Sequence, residues 1–126
     1  MIHLDTCALI TALTGERRAA PLLRGLISDG IRLSLSTPVL YEWLRGPRTP
    51  GELVAAEVIV PTAEVFVFGI EEARLAAELY GRVPRPRGRE LDIAIAACAI
   101  NAGARLWTLN PKDFADIPGL TLARPA

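Results

Sequence analysis

Apolar and polar positions alternate along this chain in short blocks that switch between strand-like and helix-like periods. Met1 to Leu4 reads as a buried strand ended by Asp5-Thr6, and a helix follows through Leu13 until Gly15 stops it. From Glu16 to Asp29 the apolar residues Leu22, Leu23, Leu26 and Ile27 recur at helical spacing, with Arg17, Arg18 and Arg24 on the opposite face. Arg32 to Ser36 alternates polar and apolar and predicts a strand. Thr37-Pro38 opens a helix with Thr37 as N-cap, and Gly46-Pro47 closes it.

A short helix is expected from Pro50 to Pro61, a strand over Glu64–Phe68, and an amphipathic helix over Ile70–Val83. Pro84-Arg85-Pro86-Arg87-Gly88 is a loop by composition. A helix apolar almost all round runs from about Arg89 to Ala102, with Gly103 as its stop, and such a helix is a buried one. Arg105–Leu109 then reads as a strand, Pro111–Ala115 as a turn or short helix, and Leu120–Leu122 as a last short strand. Strands alternating with helices predict an α/β fold, a parallel sheet of four to five strands covered by helices on both faces. The 126 residues suit a single domain, 1–126, and no repeat or linker interrupts them.

Charge narrows the function classes. Lys+Arg and Asp+Glu both number 14, so no global field draws the chain onto nucleic acid; such binding requires a local patch. Arg supplies all the basic residues except Lys112, and its planar guanidinium suits bidentate phosphate contacts. Apolar residues make up 51%, which either leaves surface for a partner chain to cover or reflects an Ala-rich core. Cys7 and Cys98 stand in apolar surroundings and read as free thiols. No apolar run approaches the ~18 residues of a membrane span, and no basic residue precedes the first apolar segment, so a cytoplasmic location is expected.

Three acids are out of place for ordinary folding. Asp92 is the only charged residue between Leu91 and Ala104, so it enters the interior on a buried helix. Asp5 ends an apolar strand, and Glu42 lies between Tyr41 and Trp43. An ionised carboxylate without a partner in the interior costs several kcal/mol. Each acid alone has an ordinary role open to it: Asp5 as an N-cap, Asp92 as a first-turn dipole partner or the mate of a loop arginine, Glu42 as a solvated helix residue. Jointly they suit a shared cation. If the first and fourth strands are neighbours, Asp5 and Asn110 fall on one edge of the sheet, where open parallel sheets bind ligands. An all-oxygen set favours Mg²⁺ or Mn²⁺, whereas His3 and two separated Cys do not make a zinc site.

The motifs Ile2-His3-Leu4-Asp5-Thr6, Ser36-Thr37-Pro38-Val39-Leu40-Tyr41-Glu42, Leu91-Asp92-Ile93-Ala94-Ile95-Ala96-Ala97 and Thr108-Leu109-Asn110-Pro111-Lys112-Asp113-Phe114, with Ile117-Pro118-Gly119-Leu120 closing, resemble those of PIN-domain proteins. The resemblance covers nearly the whole chain and is nearest to the VapC-like ribonuclease toxins of toxin–antitoxin pairs. It implies a Rossmann-like three-layer domain, Mg²⁺- or Mn²⁺-dependent endoribonuclease activity, homodimerisation and a small cognate antitoxin. Carried over, Asp5, Glu42 and Asp92 match the three core acids. Asn110 stands where many relatives have a fourth acid, which makes Asp113 the candidate fourth carboxylate. Cys7 replaces the Asn that often follows Asp-Thr, so a supporting hydrogen bond is expected to be missing.

Thr6 and Thr108 are candidates to hold a ligand or water in place. Arg82, Arg85, Arg87 and Arg89, just before Asp92, are candidate RNA contacts or else partners of Glu78 and Glu90. Trp43 and Trp107 belong to base stacking, to the core or to a partner-facing surface. The helices carrying Leu9, Leu13 and Trp43, Leu44 are expected walls of an antitoxin groove. Two other classes compete: a PIN-like RNA-binding scaffold whose site has decayed, and a small α/β receiver domain, which would need a lysine at the sheet edge.

Overall fold

The structure, a computed structural model, describes residues 1–125. Four parallel strands, β1 (Ile2–Leu4), β2 (Leu33–Ser36), β3 (Val65–Phe66) and β4 (Arg105–Trp107), form a sheet in the order β3-β2-β1-β4. The first strand made is therefore central, with β2 on one side and β4 on the other. Its register is Ile2 opposite Leu33 and Arg105, and Leu4 opposite Trp107. Leu120–Leu122 contributes a single parallel bridge, Leu122 to Leu106, and no full fifth strand.

Six helices connect and cover the strands: α1 (Thr6–Leu13), α2 (Ala20–Ser28), α3 (Thr37–Arg45), α4 (Pro50–Ile59), α5 (Ile70–Arg82) and α6 (Glu90–Asn101). Side chains alternate across a strand, and the two faces of the sheet meet different helices. Ile2 lines a cavity with Leu22 and Leu26 of α2. On the opposite face the His3 side chain hydrogen-bonds Ser34 and packs against Phe66 at 5.2 Å between ring centres. There Cys98 of α6 lies beside Ser36, without a well-formed hydrogen bond, and burial pushes its thiol pKa up to about 12. α6 is buried along Ile93–Ala99 apart from a half-buried Ala94, as its unbroken apolar sequence requires.

Several local details depart from expectation or add to it. α2 begins at Ala20 because the chain first turns through Gly15 and Arg17, both at positive φ. Thr37 is the first residue of α3, not its cap; Ser36 holds the cap position, and Thr37 Oγ1 accepts the Phe68 N–H at 3.0 Å. The polar positions of β2 are buried, since Ser34 and Ser36 lie under α6. β3 shrinks to two residues because Thr62–Glu64 forms a 3-10 turn. α4 carries a capping box, Thr49 Oγ1 accepting from Glu52 N–H and Glu52 Oε1 from Thr49 N–H, worth roughly 1 kcal/mol. Among the described residues no helix is long and apolar enough to cross a membrane.

Candidate active site

The strand order brings the ends of β1 and β4 together, and the site begins there. Asp5 leaves β1 as the cap residue of α1, with its N–H donated to Trp107 O at 2.9 Å. The residue is only 6% exposed. Oδ1 accepts the Thr6 N–H at 2.9 Å, and Oδ2 accepts the Thr108 hydroxyl at 2.7 Å and the Cys7 thiol at 3.2 Å. No arginine or lysine pairs with it among the described residues. The buried charge is thus held by neutral donors alone.

Thr6 links this carboxylate to the next: its Oγ1 donates to Glu42 Oε1 at 2.6 Å. Glu42 projects from the middle of α3, and its one basic contact among the described residues is a long one from Arg45, 3.4 Å at an exposed i,i+3 spacing. Such a pair contributes a few tenths of a kcal/mol and leaves the carboxylate available. Thr108, just past β4, also accepts the Asn110 N–H at 3.0 Å, which fixes the turn into Pro111–Asp113.

Asp92 sits in the first turn of α6, half-buried and without an ion pair among the described residues. Burial raises its pKa to about 6, and the charges of Asp5, Asp113 and Glu42 push in the same direction against the weaker pull of Arg89. Four acids drawn from β1, α3, α6 and the segment after β4 therefore share one electrostatic neighbourhood. They do not close on each other: among the described residues no three His, Cys, Asp or Glu side chains stand in position to hold one ion together. Asp113 and Asn110 are exposed at the rim.

Other expectations resolve differently. Cys7 does not leave Asp5 unsupported: besides donating to Asp5, its sulfur accepts the Leu109 N–H at 3.3 Å and touches Thr108 Oγ1 at 3.5 Å. Burial and the Asp5 charge raise its pKa, so it stays a thiol donor. The sequence signal for this was the substitution itself, since a thiol can still bridge a carboxylate and an amide.

Arg89 is held within the fold. Its guanidinium donates to both oxygens of Asp116, at 2.6 and 3.1 Å, and to the carbonyls of Pro84 and Asp113, each at 3.0 Å. Arg82 lies near Glu78 at 3.7 Å on the exposed face of α5, while the side chains of Arg85 and Arg87 are exposed and make no ion pair among the described residues. Glu90 accepts the Gly88 N–H.

Trp43 and Trp107 are core residues, 1% and 2% exposed, so neither stacks a base. On the helices expected to wall a groove, Leu9 is core; Leu13 edges a cavity of about 220 Å³ between α1, α2 and α4, and Trp43 and Leu44 line one of about 260 Å³ between α3 and α4. Leu44 is the exposed member, at 56%, with Tyr41 beside it at 60% and Val58 of α4 at 74%. Trp43 is drawn inward because α3 turns that side of its surface to the sheet.

Comparison with known proteins agrees with this architecture. The PIN domain family profile matches residues 2–120. The chain is 37% identical over 120 residues to ribonuclease VapC19 of Mycobacterium tuberculosis, covering 93% of this chain and 94% of that one. Its fold superposes with a TM-score of 0.73 on a crystal structure of VapBC2 from Rickettsia felis bound to a DNA fragment from their promoter, at 22% identity and 98% of both chains. A toxin–antitoxin complex from Klebsiella pneumoniae gives 0.72 at 22% identity, over the whole of both chains. With its four-stranded parallel sheet and a PIN-domain profile match spanning residues 2–120, the chain belongs to the PIN-domain family.

Proposed function

We propose that this protein is a metal-dependent endoribonuclease that hydrolyses RNA phosphodiester bonds and acts as the toxin of a toxin–antitoxin pair. The observation that carries the chemistry is the raised pKa of Asp92 under the combined charge of three other acids, with no arginine or lysine paired to Asp5, Asp92 or Asp113 among the described residues. Mutually repelling carboxylates at a sheet edge fit a divalent cation better than any folding role. The donors are oxygens throughout, which suits Mg²⁺ or Mn²⁺.

Asp5 and Asp92 would hold the principal ion, with Glu42, Asp113 and Asn110 completing the set. Such an ion, when bound, lowers the pKa of a water and offsets charge on the scissile phosphate. The protein's own part is positioning. Thr108 and Cys7 fix Oδ2 of Asp5, and the Thr6 amide fixes Oδ1, so that this carboxylate does not swing away. Thr6 aligns Glu42 through a 2.6 Å hydrogen bond, and Glu42 or Asp113, facing more water, is suited to take the proton released from an attacking water. Arg85 and Arg87 supply uncommitted charge for the RNA backbone beside α6, with Arg82 next to them; Arg89 positions the loop that carries them.

The relatives named above as VapBC and toxin–antitoxin complexes support a small cognate antitoxin as partner. Its apolar segment would cover the α3–α4 surface around Tyr41, Leu44 and Val58. A homodimer is the expected state of the toxin itself. The decayed-scaffold alternative rests on Asn110 and on the open spacing of the acids.

Incubation of the purified chain with total cellular RNA and Mn²⁺ tests the assignment. Cleavage is expected for the wild type and is lost in Asp5→Asn and Asp92→Asn, both retaining native circular dichroism. A variant that cleaves as well as wild type removes that residue from the mechanism. A melting temperature unmoved by millimolar Mn²⁺ would favour the scaffold.

A further inference from the structure

The groove beside α1 has no role in the site just described. It is about 450 Å³, is bordered by Thr11, Thr14, Glu16, Arg17 and Arg18, and adjoins a second hollow of about 330 Å³ that shares Thr11 and Arg18 and ends at Leu109. Leu109 is one bond network from the chemistry: its N–H is held by Cys7 Sγ, and Cys7 donates to Asp5. The two hollows share the wall formed by Thr11 and Arg18, and the second reaches Leu109, whose backbone is bonded to Cys7 beside Asp5.

Those arginines are uncommitted. Arg32, Arg45, Arg74, Arg82 and Arg89 each lie against a carboxylate, but Arg17 and Arg18 make no ion pair and donate no side-chain hydrogen bond among the described residues. Their placement is also built rather than incidental. Arg17 holds a positive φ of 54°, unusual for a residue with a Cβ, locked by Arg17 N–H to Thr14 O and Ala20 N–H to Arg17 O. Thr11 adds a hydroxyl along the wall. Glu16 opposes them, leaving a net single positive charge, enough for one phosphate and too little for indiscriminate binding.

We infer that this groove is a phosphate subsite for the RNA strand, with Arg18 and Arg17 gripping the backbone on the β4 side of the acids while Arg85 and Arg87 approach from the α6 side. The inference rests on the ribonuclease reading above. A strand lying across Asp5 and Asp92 is then held at both ends, which presents the phosphate between them to the carboxylates. Backbone contacts of this kind set register and carry no base preference directly.

The test measures binding of a fluorescent, mixed-sequence single-stranded RNA to the cleavage-dead Asp92→Asn chain across a range of salt. Arg18→Ala should weaken binding about tenfold, as loss of one charge-assisted phosphate contact would. The salt slope should fall by about 0.7. Glu16→Gln should tighten binding. Arg105→Ala removes the same charge at the opposite end of β4, outside the groove, and should change neither quantity. Unchanged affinity in Arg18→Ala, or an equal loss in Arg105→Ala, overturns the subsite. If the wild type degrades cellular RNA and Arg18→Ala still binds normally, only the groove falls; if the wild type degrades none, the nuclease reading falls and takes the groove with it.

Discussion

At Asp92 function opposes stability. Its carboxyl titrates near pH 6 because folding removes it from water and sets it near Asp5, Asp113 and Glu42. The folded pKa lies above the unfolded one, so the native state binds the proton more tightly. Stability from this group is present below about pH 4 and is lost as pH rises through 6. Without added metal, Asp92→Asn should therefore raise stability at pH 7.5, by about 1–2 kcal/mol once screening at a half-buried position is allowed for. Urea unfolding of the two chains measures it. A less stable variant would mean that the wild-type carboxylate has a partner that offsets the repulsion.

The elements divide into those whose sequence announced them and those that depended on distant partners. β1, α1, α5 and α6 followed directly from apolar runs and their stops, because each signal lies within the element. β2 also followed from its alternation, but that α6 is the helix covering Ser34 and Ser36 was not legible, since which helix covers a face is not a local property. The seat of Asp5 is another such case. Its residues were visible, but the hydrogen bond to Thr108 exists only because β1 and β4 pair, 103 positions apart.

Arg89 was legible as a basic residue near the site and not as a clamp, since Asp116 is 27 positions away and Asp113 contributes only a carbonyl. That clamp joins the entrance of α6 to the segment carrying Asp113. Arg89→Ala should destabilise the chain by about 1–3 kcal/mol. It should also weaken Mn²⁺ stabilisation, read as a smaller melting shift on adding metal. A variant losing neither property would show that the loop is held by its prolines alone.

Over the whole molecule, the sheet is a balance between a core that excludes water and two polar atoms left unpartnered inside it among the described residues, His3 Nε2 and Ser36 Oγ. His3 is buried between Ser34 and Phe66 with Nε2 unpartnered, and burial, aided by the nearby amino terminus, lowers its pKa to about 4. The unfolded chain takes up a proton near pH 6.5 and the folded chain resists until about 4. Stability should fall by about 3 kcal/mol across that window. His3→Phe would flatten this part of the profile, and an unchanged acid limb would mean that other groups set it. Asp92 works in the opposite direction over part of the same range, so the comparison is cleanest in the Asp92→Asn background.

The position of β1 at the centre of the sheet also governs when the molecule becomes dangerous. Ile2–Leu4 precedes the other strands along the chain and gains its second neighbour only when Arg105–Trp107 has been synthesised. Until then Asp5 lacks the hydroxyl of Thr108, and Asp113 does not yet exist in the nascent chain. Translation itself therefore acts as a delay: an enzyme that destroys RNA is assembled only after β4, Thr108 and Asp113 have been made.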